Sequence, residues 1–189
     1  MMNLSPHFVG TVDRKAHILA ATGGRVGGND LDISLAFYKI CRELGKESLD
    51  KQGSIVNRSS PVGLDIYWNA THINNVHAIA EFRNEVTGGR IERCAHSTSG
   101  NLRRQILRLS VLHGSDYAFR LNRGAELSKI LLSSKENIRL PLNYLEPGFH
   151  IQLDRDDLDD AIHTSGYQIR EIISGCIKMA GERPEIVYV

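Results

Sequence analysis

The chain has 189 residues, 41% of them hydrophobic and 24% charged, the make-up of one ordinary globular domain able to bury a core. Its formal net charge of +1 argues against nucleic acid or an anionic membrane as a partner held by bulk electrostatics. No apolar run approaches the roughly 20 residues of a membrane span, and "MMNLSPHFVGT" lacks a signal-peptide apolar segment, so a cytoplasmic location is expected. Cys41, Cys94 and Cys176 are far apart and lack the paired spacing of a zinc site or a disulfide framework, so they read as reduced thiols.

In chain order, "HFVGTVDRKAHILAAT" (7–22) alternates apolar and polar residues around "DRK" and predicts a hairpin. A helix is expected from Gly28. Asn29, Asp30 and Asp32 suit its N-terminus, Ile33, Phe37, Ile40 and Leu44 recur at helical spacing, and Gly45 is a natural stop. The section 46–100 is the least regular, punctuated by "NRSSPVG", "TGG" and "HSTSG"; within it "LDIYWNATHINNVHAIAEF" reads as a short helix or an apolar loop.

From Asn101 to Ser134 the pattern is helical again, through Leu102, Ile106, Leu109 and Leu112, with a break at "HGSD" before a second helix. "NIRLPLN" and "FHIQLD" alternate on either side of "YLEPG", where Pro147-Gly148 fits a type II turn, so a hairpin is predicted. Asp154 then caps a long helix with an apolar stripe of Leu158, Ile162, Ile169, Ile172, Ile173, Cys176, Ile177 and Ala180, ending at Gly181 and Pro184. "EIVYV" closes the chain as a buried-type strand. This strand and the first hairpin look like parts of a larger sheet, so unpaired main-chain groups are expected at both. The elements together predict an α+β fold in which the helices from Gly28, to Ser134 and from Asp154 share one core with the 137–153 hairpin.

The blocks "RVGGNDLDISLAF", "WNA", "RGAELSKILLSS", "IRLPL…GFHIQLDRDDLDDAI" and "RPEIVYV" resemble, in order and spacing from about residue 8 to 189, the second lobe of the actin-like ATPase domain in the heat-shock protein 70 chaperone family, in particular its divergent YegD-type branch. The resemblance implies a single lobe over 1–189. It corresponds mainly to subdomain IIB with the edge of IIA: 1–27 and 184–189 belong to the sheet edge of the parent core subdomain, and 28–183 form the helical and hairpin subdomain. The section 46–100 departs from ordinary members, which join the two helices more briefly.

The resemblance carries functional residues onto this chain one by one. Gly28, preceded by Gly27, matches the glycine that approaches the nucleotide ribose. Glu126 and Lys129 match the pair that hydrogen-bonds the ribose hydroxyls, and Ser133 matches a serine near adenine. Ile130 stands where the family has an arginine against the base, which implies altered base preference or weaker binding. At about 100° per residue, positions 126, 129 and 133 fall on one narrow helix face, so convergence on one ligand is physically consistent.

The family's two phosphate loops, its catalytic carboxylates and its second adenosine loop have no match here. The resemblance therefore implies the ribose and adenine side of an interlobe ATP or ADP site, with no catalytic residue and no metal held by this chain. Magnesium belongs to the full-length parent. The implied partners are the remaining lobe and a nucleotide-exchange or co-chaperone protein, with neither nucleic acid nor membrane.

Blander readings stand beside these. On spacing alone Glu126 and Lys129 are a solvated helix pair, and Gly27-Gly28 is a tight helix entry. A stand-alone interaction module without nucleotide binding is the alternative function. "HST" at His96 and "HTS" at His163 resemble two-histidine phosphoesterase motifs, but these need strand contexts, and His163 lies in a helical pattern. His72 and His77 lack metal-ligand spacing, and Arg103, Arg104 and Arg108 read as a solvated helix face.

Overall fold

The computed structural model describes residues 18–49, 55–57, 60–182 and 184. They form an α+β arrangement that is mostly helical. In order come α1 (Gly28–Tyr38), a 3₁₀ turn (Ile40–Leu44), β1 (Ser48–Leu49), β2 (Ile55–Asn57), α2 (Leu64–Thr71), α3 (Val76–Arg83), α4 (Glu85–Ser97), α5 (Gly100–His113), α6 (Tyr117–Leu132), β3 (Asn137–Pro141), β4 (His150–Asp154) and α7 (Arg155–Ala180). The strands make two separate antiparallel pairs, β1 with β2 and β3 with β4. The chain divides into two compact units, Leu31–Ala161 and Met1–Asp30 with Ile162–Val189. Most of the hairpin expected over 7–22 and all of "EIVYV" lie outside the described residues; residues 18–22 have no regular structure. No helix among the described residues is long and apolar enough to cross a membrane.

The Leu31–Ala161 unit is built on one apolar core. Leu35, Ile40 and Leu44 meet Ile66 and Tyr67 of α2, Phe82 of α3, Ile91 of α4, Ile106, Leu109 and Leu112 of α5, and Leu121 and Leu132 of α6, all essentially closed to solvent. Each such side chain contributes about 1.5–3 kcal/mol by leaving water. Gly45 ends the 3₁₀ turn in the left-handed region, φ 87°, and its N–H donates to the Arg42 carbonyl at 3.1 Å. A Cβ there would come within 2.7 Å of Ile106 Cδ1, so backbone and packing both require glycine. Beside it, the buried Tyr67 hydroxyl donates to the Leu44 carbonyl at 3.1 Å, and burial pushes the phenol well above its ordinary range.

The section 46–100 is far more regular than its punctuation suggests. "LDIYWNATHINNVHAIAEF" is α2 and α3, separated by a turn from which Asn75 caps α3: its side-chain oxygen accepts from the N–H groups of His77 and Ala78. "TGG" is no loop but the second turn of α4, begun by Asn84, whose side chain accepts from the Thr87 N–H at 2.7 Å. The glycine serves packing: a Cβ on Gly88 would lie 2.8 Å from the His113 ring of α5, so the missing side chain lets the ring of one helix sit against the backbone of the other.

β3 and β4 pair in the predicted hairpin, with Ile138 opposite Leu153 and Leu140 opposite Ile151 facing the core. Its turn is of the expected kind, Gly148 having φ 76° and Phe149 N–H donating to the Glu146 carbonyl at 3.0 Å. Asp154 caps α7 reciprocally with Asp157: its carboxylate accepts from the Asp157 N–H at 2.8 Å, and the Asp157 carboxylate accepts from the Asp154 N–H at 3.3 Å. Lys39 bridges to Asp157 at 2.9 Å and Asp160 at 3.2 Å.

Arg103 and Arg104 are exposed on α5, as a solvated face requires, but Arg108 departs from that expectation. Arg108 is only 7% exposed. Its Nε meets Glu146 Oε2 at 2.6 Å, its Nη1 donates to the Glu43 carbonyl at 3.2 Å, and its guanidinium lies 3.5 Å from the Phe149 ring centroid. Arg104 also binds Glu146. A pattern reading places Arg108 on the outside of α5 because it cannot see the hairpin turn folded over it.

In the second unit, Gly24 lies against Ile172 of α7. A Cβ on Gly24 would overlap Ile172 Cδ1 at 2.2 Å, so a larger residue there would have to displace the end of that side chain. All three cysteines are free thiols, and burial holds Cys41 up to about 12.

Two outcomes follow from these contacts. Gly45→Ala should lower stability by about 2 kcal/mol, read as a lower urea midpoint, since the left-handed backbone and the Ile106 contact both oppose a methyl group. The Glu146 carboxyl is held down to about 2 by Arg104 and then Arg108, below its ordinary 4.5. Its contribution to stability is therefore complete above the unfolded value and lost as pH falls toward the folded one. Glu146→Gln should flatten the fall in urea midpoint between about pH 5 and pH 2; an unchanged acid limb would mean that the cluster does not hold in solution.

Candidate functional site

α6 turns Leu121, Asn122, Ala125, Ser128 and Leu132 into the core, as an amphipathic helix must. That orientation leaves Glu126 and Lys129 half-buried on its flank, with Ile130 and Ser133 exposed. The Lys129 ammonium lies 2.7 Å from Asp32 Oδ1, on the first turns of α1; the two side chains are 22% and 13% exposed. Burial pushes the Asp32 carboxyl above its ordinary range, Lys129 draws it back, and the nearby Glu126 charge pushes it further up. Glu126 itself ion-pairs with Arg123, one turn away on α6.

Ser133 is the C-cap of α6, and its hydroxyl donates to the Ile130 carbonyl at 2.7 Å. The Ile130 side chain is 53% exposed beside it, an uncovered aliphatic surface. Gly28 opens α1, while the Gly27 N–H donates to Asp30 Oδ2 at 2.7 Å as a helix-entry contact. Gly27 has no left-handed backbone, and a Cβ added to it would meet nothing nearer than Asp30 Oδ2 at 3.9 Å. Neither its conformation nor packing among the described residues demands glycine there.

Asp32 is the member of the cluster that sequence reasoning missed, having been read only as a favourable charge at a helix N-terminus. A signal for it existed. Its neighbours at i+3 and i+4 are Leu35 and Ala36, both fully buried, so the carboxylate stands at the margin of an apolar stripe, where a charge needs a partner. Arg123 was likewise not recognised as the partner of Glu126.

Chemically, the flank presents a carboxylate acceptor and an ammonium donor three residues apart on one helix. This combination suits a vicinal diol, which both donates and accepts. An exposed aliphatic side chain lies one residue beyond. Among the described residues, no group of three or more histidine, cysteine, aspartate or glutamate side chains could hold a metal ion.

The histidines point elsewhere. His96 is exposed on α4 and His163 on α7, so neither stands in the strand context that phosphoesterase chemistry requires. His72 stacks on the Trp68 ring, centroids 4.0 Å apart, with Nδ1 2.7 Å from the Trp68 carbonyl oxygen.

No family model matches the chain, and no solved structure matches it.

Lys129→Met should cost about 1–2 kcal/mol of stability, because it strands a largely buried carboxylate. It should also move the Asp32 carboxyl further up, since the group that draws it down is lost. A carboxyl-carbon NMR titration reads this shift; an unmoved Asp32 would mean that the pair is not formed.

Proposed function

We propose that the α6 flank is the ribose-and-base side of an adenosine nucleotide site in a chaperone-like ATPase of the heat-shock protein 70 family, with phosphate contacts and magnesium supplied by the complementary lobe. One contact carries the reading. The words "GGNDLD" and "AELSKILLSS", far apart in sequence, are joined through Asp32 and Lys129 at 2.7 Å. Two segments that the resemblance assigns to one ligand are thereby neighbours for a physical reason independent of it.

In this reading Glu126 accepts from one ribose hydroxyl and Lys129 donates to the other, with Asp32 holding the ammonium in place. Ile130 covers one face of the base and Ser133 stands at its edge. The resemblance assigns Gly27 and Gly28 to backbone approach to the sugar, and packing among the described residues makes no demand for glycine at position 27. The complementary lobe and a nucleotide-exchange or co-chaperone protein are the proposed partners. The cytoplasm is the proposed location.

A second reading, an interaction module without nucleotide binding, rests on Leu127, Ile130 and Leu131, which α6 leaves substantially exposed around Lys129. Calorimetry separates the two. Adenosine and ADP should bind this chain weakly and ATP should not be hydrolysed above background, because phosphate positioning dominates both tight binding and catalysis. Glu126→Ala, which leaves the Asp32–Lys129 pair intact, should weaken binding in the full-length parent by about 1–3 kcal/mol. Micromolar ATP binding unaffected by substitution at Glu126 or Lys129 would place the site elsewhere and sink the proposal.

A further inference from the structure

α4 presents a second feature, unrelated to the α6 flank. Pro61, Val62 and Gly63, just before α2, face Arg90, Arg93, Cys94 and Ser97 across a cavity of about 470 Å³. Positions 90, 93, 94 and 97 follow helical spacing, so one stripe of α4 forms the whole wall. The volume lies within the range of small-molecule sites.

The charges in this wall do not cancel. Arg90 is fully engaged in structure: Nη1 meets Asp65 Oδ2 at 2.8 Å, while Nη2 meets Asp65 Oδ1 at 3.2 Å and the Val62 carbonyl at 2.7 Å. Arg90 thus holds the Asp65 carboxyl below its ordinary range. Gly63, at φ 94°, admits this fork, since a Cβ there would lie 2.6 Å from Arg90 Nη2. Arg93 is different. Its Nη1 folds back to within 3.2 Å of where a Gly89 Cβ would be, and no carboxylate among the described residues pairs with it. Two guanidinium groups therefore share one hollow with one carboxylate.

On the opposite side Pro61 is apolar and exposed, whereas Val62 is only 3% exposed. Burial raises the Cys94 thiol, which keeps it neutral, so no thiolate supplies the missing negative charge. The Ser97 hydroxyl donates to the Cys94 carbonyl at 3.1 Å, leaving its oxygen at the rim.

We propose that this cavity binds a small organic oxyanion, a phosphate monoester or a carboxylate with an apolar body. Arg93 is the anion-binding side chain, Arg90 and Asp65 set the wall in place, and the exposed Pro61 lies against the apolar body. The bidentate fork of Arg93 matches both oxyanions, and the apolar Pro61 favours an organic ligand over the bare ion.

The test is an amide NMR titration of the full chain with phenyl phosphate, benzoate and inorganic phosphate. The expected result is saturable shifts confined to residues 61–63 and 90–97, with phenyl phosphate or benzoate binding more tightly than inorganic phosphate. The tighter of the two organic probes assigns the oxyanion class. Arg93→Gln, at an exposed position outside the core, should raise the apparent Kd by about tenfold or more, while Arg103→Gln on exposed α5 surface should leave it unchanged. Shifts that never saturate, shifts spread over all the surface arginines, or equal affinity in wild type and Arg93→Gln would each overturn the proposal.

Discussion

The burial of one guanidinium organises much of the Leu31–Ala161 unit. Arg108 stands on α5 with its Nε on Glu146, its Nη1 on the Glu43 carbonyl and its flat face on Phe149. It therefore ties the β3–β4 turn and the 3₁₀ turn after α1 to the same helix. An arginine so closed to water is tolerated only with its donors matched, and here the partners come from segments widely separated in the chain. The hairpin turn cannot lift without stranding that charge, and the 3₁₀ turn cannot shift without losing an acceptor. The strands β3 and β4, two short elements that would be marginal alone, gain a fixed seat from it.

The Asp32–Lys129 pair works on a smaller scale on the other side of α1. A carboxylate raised by burial and an ammonium that draws it down are mutually dependent, so the pair fixes α1 against α6 and leaves the α6 flank with a defined rather than a wandering cation. A site that needs Lys129 in one place gains from a partner that forbids other rotamers. Glu126, tied only to the more exposed Arg123, has no comparable anchor.

Wherever apolar period and turn chemistry agreed, the fold was legible in the sequence. The α1 stripe, the break between α5 and α6, the Pro147-Gly148 turn and the long α7 with its Asp154 cap all follow from local rules. What local rules miss is tertiary. Gly88 reads as punctuation because a glycine admits a turn, whereas here it admits a neighbouring ring. Arg108 reads as surface because its partners lie in other segments. At the candidate site, Glu126, Lys129 and Ser133 came from the resemblance, with which their helical spacing is consistent. Asp32 required knowing that the fold brings it within reach of Lys129.

The glycine pair in α4 also bears on how this region assembles. Gly88 and Gly89 each cost a helix about 1 kcal/mol relative to alanine, so the segment 85–97 has little reason to be helical by itself. The gain that offsets this comes from α5, through the His113 ring over Gly88 and its Nε2 near the Asn84 carbonyl at 3.3 Å. α4 is thus a conditional helix, whose form is lent by its neighbour. Removing the α5 contact would therefore loosen α4 first at its N-terminal end, where both glycines lie. The wall that carries Arg90 and Arg93 therefore owes its shape to a contact made on another face of the same helix.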